Sequence, residues 1–137
     1  MKVFLGGTCN GSTWRDILIP LLKIHHIDYF NPVVEDWTPS CQEEERREKA
    51  ICDVHLYIIT PAMTGVFSIA EIIDSAHLLG KRCIVQIVPS GWSDRMFRSL
   101  EAVAQLAGKY HTEVIWEEVD DPEEDFNWIL NMIKYGG

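Results

Sequence analysis

The chain has 137 residues, of which 47% are hydrophobic, and a formal net charge of −9. This length suits one domain, so we expect a single domain over residues 1–137. No apolar run reaches the ~18 residues of a membrane span. The apolar run at the N-terminus is too short for a signal peptide. Long nucleic acids are disfavoured because Lys and Arg must neutralise their phosphates. We therefore expect a cytoplasmic protein without membrane or nucleic-acid partners that binds a small, neutral or weakly charged molecule.

Five short apolar runs alternate with helix-like segments. The third and fourth runs are almost continuously apolar, which is typical of strands covered by helices on both faces. Strict alternation of strand and helix predicts right-handed crossovers and a parallel sheet. We expect a flavodoxin-like three-layer α/β sandwich with strand order 2-1-3-4-5. The predicted strands are residues 3–5, 29–30, 54–59, 83–88 and 114–116.

The first two predicted helices carry specific start signals. The first is expected to start near residues 12–13, and Pro20 inside it predicts a kink or a later start. The second opens with the capping-box pattern Ser40-x-x-Glu43. Its charged residues through Glu48 have the i,i+4 spacing of a solvated helix face.

Three loops follow the first three strands, at residues 6–13, 31–39 and 60–68. In sheets of this order, ligands bind beyond the carboxyl ends of the strands, at the switch point between strands 1 and 3. The first loop combines glycines with a helix start, which suits either close approach of a polar ligand or a tight capped turn. In the second, Asp36 beside Trp37 suits a flat heterocycle, or a cover for the core edge with a turn-ending carboxylate.

The third loop leads into Ser68-Ile69-Ala70-Glu71, which has two interpretations. Structurally, Ser68 is an N-cap and Glu71 its capping-box partner, a contribution of about 1 kcal/mol. Chemically, Glu71 is a carboxylate in the first turn of a helix, facing the cleft, where the helix dipole favours its ionised form. An ionised carboxylate can act as a nucleophile or stabilise an oxocarbenium ion. Spacing alone favours the capping interpretation.

A resemblance reverses this order. Residues 57–76, which include Glu71, resemble the nucleophile motif of nucleoside 2-deoxyribosyltransferases, in which a Glu opens the helix after a short Gly-containing loop. Residues 2–7 resemble that family's first strand and glycine turn, and residues 29–37 its base-side loop. The similarity extends over residues 2–88 and is strongest to the shorter, "deoxyribosyltransferase-like" branch.

The resemblance implies transfer or hydrolysis of the N-glycosidic bond of 2′-deoxynucleosides through a Glu71 glycosyl-enzyme. Asp36 or a water would protonate the leaving base. The expected partners are a nucleoside or nucleotide, a free nucleobase and, because the family completes its sites across subunits, a second copy of the chain. No cofactor is required. The expected substrate-binding residues are Gly6, Gly7, Thr8, Asn10, Asn31, Trp37, Thr60, Thr64 and Ser68.

Two other function classes stay open. The pattern Thr8-x-Asn10-Gly11-x-Thr13 resembles the phosphate loop of flavodoxins, so a flavodoxin-like FMN-binding electron carrier is one alternative. A catalytically silent nucleotide-binding domain is the other. The dispersed histidines and cysteines lack the spacing of metal ligands, so we expect no metal and a reducing compartment.

Overall fold

A computed structural model describes residues 1–9, 13–34, 36, 38–119 and 122–136. Its strands are β1 (Lys2–Gly7), β2 (Asp28–Phe30), β3 (Val54–Ile59), β4 (Arg82–Ile87) and β5 (Glu113–Trp116). Its helices are α1 (Trp14–Ile24), α2 (Pro39–Ile51), α3 (Phe67–Ala76), α4 (Asp94–Gly108) and α5 (Pro122–Tyr135). The strands are parallel and form one sheet in the order β2-β1-β3-β4-β5, as predicted.

The sheet is buried on both faces. Successive side chains of a strand point to opposite faces, so Leu56 and Ile58 pack with α1 and α5. Tyr57 and Ile59 pack with α3 and α4 on the other face. Burial on both sides explains why β3 is continuously apolar and confirms the three-layer, flavodoxin-like fold. None of the helices in the described part of the chain has the length and apolar character to cross a membrane.

The first helix begins close to the predicted residues 12–13, and the later start that Pro20 offered as an alternative is wrong. α1 begins at Trp14 and runs through Pro20. Trp14, Leu18 and Leu22 are buried in the core and hold the helix against the sheet. Pro20 has no N–H to donate, so the Asp16 carbonyl loses its usual helical hydrogen bond. Both residues lie on the exposed side of α1, where water can solvate that carbonyl.

The capping box predicted at Ser40 is also wrong. α2 begins at Pro39, after the N-cap residue Thr38, so Ser40 lies within the first turn. Proline suits the first helical position because its φ is already helical and its missing N–H has no partner to lose. The Thr38 and Ser40 hydroxyls are 2.9 Å apart and bond each other.

One face of α2 is not solvated, contrary to the prediction for residues 43–48. Glu43 and Glu44 are exposed, but Glu45 and Glu48 are half-buried. Glu48 Oε2 lies 2.6 Å from Nζ of Lys2 on β1. This face therefore packs towards the sheet, and it carries Glu45 towards the carboxyl end of β1.

Candidate functional site

A cavity of about 470 Å³ lies at the carboxyl ends of β1 and β3, which is the switch point of this sheet. Its volume is in the usual range for a small-molecule site. The walls come from the turn after β1, the segment after β2, one face of α2, and the loop and first turns of α3. The lining residues are Phe4, Gly6, Gly7, Thr8, Cys9, Arg15, Pro32, Gln42, Glu45, Met63, Thr64, Gly65, Phe67, Ser68 and Glu71.

The turn after β1 approaches β3 too closely for side chains. Gly7 has φ +109°, and a Cβ there would lie 2.2 Å from the Ile58 carbonyl oxygen. The next residue continues the pairing, with the Thr8 N–H donating to the same oxygen at 2.9 Å. The Thr8 hydroxyl accepts from the Thr60 N–H at 2.9 Å. Glycine at this position is what lets the backbone form the cavity floor.

The shape of this turn is also fixed by Arg15, which is only 5% exposed. Its Nε donates to the Leu5 carbonyl at 3.0 Å, and its Nη1 donates to the Thr8 carbonyl at 2.8 Å. A longer contact of 3.4 Å joins Nη2 to the Gly7 carbonyl. Burial lowers the pKa of the Arg15 guanidinium from its ordinary value. Arg15 therefore joins the start of α1 to the end of β1 and forms part of the cavity wall.

Glu71 lies in the second turn of α3, because that helix starts at Phe67 after Val66. The capping interpretation is therefore wrong, and the chemical interpretation is corrected only in the turn of the helix that carries Glu71. Ser68 is inside the helix and is not an N-cap, and Glu71 is neither its capping partner nor a first-turn residue. Ser68 and Glu71 both line the cavity.

Lys49 on α2 is the partner of Glu71. Its Nζ forms an ion pair with Glu71 Oε2, and the two side chains are 15% and 13% exposed. The ammonium also lies 5.1 Å from the centre of the Phe4 ring, within range of a cation–π interaction. This ion pair joins Glu71, at the cavity wall, to α2.

Glu45 lies one turn before Lys49 on the same face of α2 and also lines the cavity. Burial, and after it the charge of Glu71, raise the pKa of the Glu45 carboxyl above its ordinary value. The cavity thus holds two carboxyl groups in different surroundings, one ion-paired and one desolvated. No group of three His, Cys, Asp or Glu side chains in the described ranges could hold a metal ion.

A buried hydrogen-bond chain connects the two helices that carry these groups. His55 Nε2 lies 2.8 Å from the Lys49 carbonyl, which can only accept, so this nitrogen carries the proton. Nδ1 therefore accepts from the Ser75 hydroxyl at 2.8 Å, and Ser75 in turn accepts from the Tyr57 hydroxyl at 2.7 Å. Burial lowers the pKa of His55. The chain fixes the end of α2 relative to α3, and with it the approach of Lys49 to Glu71.

The structure brings some of the predicted site residues together and leaves others apart. Asn31 is exposed, and its Oδ1 accepts from the Val33 N–H at 3.1 Å. Asp36 is exposed, and Thr60 is buried beside Thr8. These three lie outside the cavity lining. Asn10 and Trp37 fall outside the described residues. The predicted residues that line the cavity are Gly6, Gly7, Thr8, Thr64, Ser68 and Glu71.

The prediction missed the residues that α1, α2 and the rim contribute. Glu45 and Lys49 are four residues apart on a helix, so the sequence puts them on one face. It does not indicate which part of the protein that face contacts. Nothing in the local pattern separates Arg15 from an ordinary surface arginine. The other lining residues that it missed are Phe4, Cys9, Pro32, Gln42, Met63, Gly65 and Phe67.

The comparison with protein families agrees with the geometry. The family model described as "nucleoside 2-deoxyribosyltransferase like" matches residues 1–91. The match extends through β4 and includes every residue that lines the cavity. A comparison with curated proteins gives no match. With two-thirds of its length under the family model and the cavity inside that part, the chain belongs to the nucleoside 2-deoxyribosyltransferase-like family.

Proposed function

We propose that this protein cleaves the N-glycosidic bond of 2′-deoxynucleosides with Glu71 as nucleophile and passes the deoxyribosyl group to a second base or to water. The observation that carries the proposal is the Glu71 carboxylate on the wall of the switch-point cavity, held by Lys49. The family supports a nucleoside-related glycosyl transfer role.

The reaction takes place as two displacements at C1′. A Glu71 oxygen forms a bond to C1′ as the C1′–N bond breaks, and the electron pair of that bond leaves with the base, which takes up a proton. A nitrogen of a second base, or a water oxygen, then attacks C1′ and loses a proton. The ester bond to Glu71 breaks, and its electron pair returns to the carboxylate. Two inversions give net retention.

The cavity lining suggests where each part of the substrate binds. Gly6 and Gly7 allow the sugar to approach the backbone, and the Thr64 and Ser68 hydroxyls are suited to deoxyribose oxygens. The Thr8 hydroxyl is bonded to Thr60, so Thr8 lines the site without offering a free hydroxyl. The apolar side of the cavity, which includes Pro32 and Phe67, suits a flat base.

Free nucleosides suit this cavity better than nucleotides. The cation Arg15 lines the cavity, and the cation Lys49 lies next to it at Glu71. The Arg15 guanidinium donates to three carbonyls, and the Lys49 ammonium binds Glu71. A 5′-phosphate would have to compete for these donors.

A homo-oligomer in the cytoplasm is part of the proposal. Phe67, which lines the cavity, and its neighbour Val66 are 63% and 76% exposed, and a second copy of the chain would cover such apolar side chains. The four cysteines are free thiols, as expected in a reducing compartment.

The test is to incubate the protein with a mixture of 2′-deoxynucleosides plus free adenine and cytosine, and to follow new nucleosides and released bases by chromatography. We expect turnover by the wild type and a loss of about a thousandfold or more in Glu71→Gln. Asp74→Asn, an exposed change on the same helix, is the matched control and should keep wild-type activity. Wild-type turnover in Glu71→Gln would show that the nucleophile is another group.

The engagement of Glu71 by Lys49 favours one further candidate, a catalytically silent nucleotide-binding domain. That candidate predicts that deoxynucleosides bind to the wild type and to Glu71→Gln with similar affinity and that no base is released. Calorimetric titration of both proteins, beside the chromatographic assay, separates it from the enzymatic proposal.

A further inference from the structure

The Lys49 ammonium has hydrogen-bonding capacity that its ion pair does not use. An ammonium group carries three N–H donors. Within the residues that the structure describes, Nζ is hydrogen-bonded to a single acceptor, Glu71 Oε2. The Lys49 side chain is only 15% exposed, so bulk water reaches little of it. A mostly buried ammonium with N–H groups to spare is suited to bind a polar group of a ligand.

This ammonium lies next to the cavity and beside the proposed nucleophile. It contacts two side chains that line the cavity, since it pairs with Glu71 and lies 5.1 Å from the centre of the Phe4 ring. The backbone of Lys49 is fixed as well, because its carbonyl accepts from His55 Nε2 at 2.8 Å. A ligand group bound against Glu71 Oε2 is therefore within reach of Lys49.

The stereochemistry of the proposed reaction brings the 2′-carbon to this ion pair. In a β-nucleoside the base lies on one face of the sugar, so an in-line nucleophile attacks C1′ from the opposite face. When one Glu71 oxygen attacks, the other lies against a neighbour of C1′, which is either the ring oxygen or C2′. Positive charge develops on C1′ and the ring oxygen in the transition state, which disfavours an ammonium at the ring oxygen. The oxygen that is bonded to Lys49 therefore belongs on the C2′ side.

We propose that Lys49 and Glu71 Oε2 together bind a 2′-hydroxyl, and that the protein therefore cleaves ribonucleosides as well as 2′-deoxynucleosides. The inference rests on the proposed function, since it requires Glu71 to attack C1′. The 2′-hydroxyl of ribose lies on the attacked face of the sugar. Its oxygen accepts from Lys49 and its O–H donates to Glu71 Oε2. Hydrogen bonds to this hydroxyl strengthen in the transition state of glycosidic chemistry.

The bond changes are those of deoxyribosyl transfer. Glu71 forms an ester bond to C1′ as the C1′–N bond breaks, and the electron pair leaves with the base, which takes up a proton. Water or a second base then attacks C1′ and gives up a proton, and the ester electron pair returns to Glu71. The 2′-hydroxyl keeps both of its covalent bonds throughout. Lys49 is thus a specificity-determining residue that takes no part in the bond changes.

The experiment compares three nucleosides that carry the same base, the one that the wild type releases fastest, and differ only at C2′. They are the 2′-deoxynucleoside, the ribonucleoside and the arabinonucleoside, whose 2′-hydroxyl lies on the face away from Glu71. Released base is followed by chromatography for the wild type, Lys49→Met and the control Arg46→Met, an exposed change on the same helix.

We expect the wild type to release base from both the deoxynucleoside and the ribonucleoside. Lys49→Met should lower kcat/KM for the ribonucleoside, relative to the deoxynucleoside, by about 10–100-fold, the usual contribution of a hydrogen bond to a charged group. The same ratio for the arabinonucleoside should not change. Arg46→Met should match the wild type on all three substrates.

Binding of C-nucleosides gives a second measurement, which remains decisive if Lys49→Met has no turnover. Their C1′–C bond is not cleaved, so calorimetric titration of the wild type and Lys49→Met gives the affinity of the ribosyl and 2′-deoxyribosyl forms directly. We expect Lys49→Met to weaken binding of the ribosyl form by about tenfold or more and to leave the 2′-deoxyribosyl form unchanged.

The outcomes separate this inference from the proposed function. Wild-type turnover of the deoxynucleoside without the ribonucleoside would overturn the inference and leave the proposed function standing. Equal losses for the two sugars in Lys49→Met would also overturn it, because Lys49 would then only hold Glu71 in place. Turnover of ribonucleosides alone would support the inference and correct the sugar in the proposed function. If the wild type releases base from neither, both fail.

Discussion

Arg15 is the residue whose removal should distort the site most without touching its carboxylates. It is 5% exposed, and its guanidinium donates to the carbonyls of Leu5, Gly7 and Thr8 at the end of β1. Arg15→Met keeps the length of the apolar stem and removes every donor. The carbonyls are backbone groups and stay, so the change leaves acceptors without their cation.

The size of the effect follows from the distances. The bonds at 3.0 and 2.8 Å are full hydrogen bonds, whereas the contact at 3.4 Å is weak. Bonds to a charged donor contribute about 1.5–3 kcal/mol each. The Thr8 carbonyl keeps its bond from Trp14 Nε1 at 3.1 Å, and burial of an uncompensated guanidinium is itself unfavourable, so part of this sum is offset. We expect a net loss of about 2–3 kcal/mol in the free energy of unfolding.

Urea denaturation, followed by tryptophan fluorescence and by circular dichroism, measures this loss. At about 3 °C per kcal/mol for a chain of this size, Tm should fall by about 6–9 °C. Arg15→Lys should recover only part of the loss, because one ammonium cannot reproduce the planar fork of donors. Arg46→Met, an exposed change on α2, should stay within about 0.5 kcal/mol of wild type. A free energy of unfolding for Arg15→Met equal to that of Arg46→Met would refute this account of the turn.

Two further predictions concern groups beneath the cavity. Burial lowers the pKa of His55, so the unfolded chain binds its proton more readily, and stability should fall as pH drops below about 6.5. The difference in free energy of unfolding between wild type and His55→Gln, from urea titrations at pH 7.5 and 5.5, should therefore shrink at the lower pH; a constant difference would contradict the assignment. Gly7→Ala would place a Cβ 2.2 Å from the backbone of β3 at φ +109°, so we expect a loss of several kcal/mol. Thermal melts of Gly7→Ala and of Gly108→Ala, whose Cβ would meet nothing within 4 Å, test this, and we expect Gly108→Ala to keep the wild-type Tm. Equal Tm values for the two variants would contradict the close approach of Gly7 to β3.

Much of the architecture was determined by local sequence pattern. Strands such as β3 are continuous apolar runs because helices cover both faces, and this pattern is visible without coordinates. Parallel order and crossover handedness follow from the strict alternation of elements. Because the carboxyl ends of the first and third strands meet at the switch point, the sequence also located the cavity and placed Glu71 beside it.

Tertiary structure decided what surrounds Glu71. The start of α3 at Phe67 placed Glu71 in the second turn, and no local signal separated that start from one at Ser68. Lys49 lies 22 positions away along the chain. Glu45 shares its polar helix with residues that are exposed. Which face of such a helix packs against the sheet depends on the contacts of β1 and β3, and these are fixed only when the chain has folded. Local periodicity thus specified the sheet and its edge, while long-range packing selected the cation and the second carboxyl that complete the cavity.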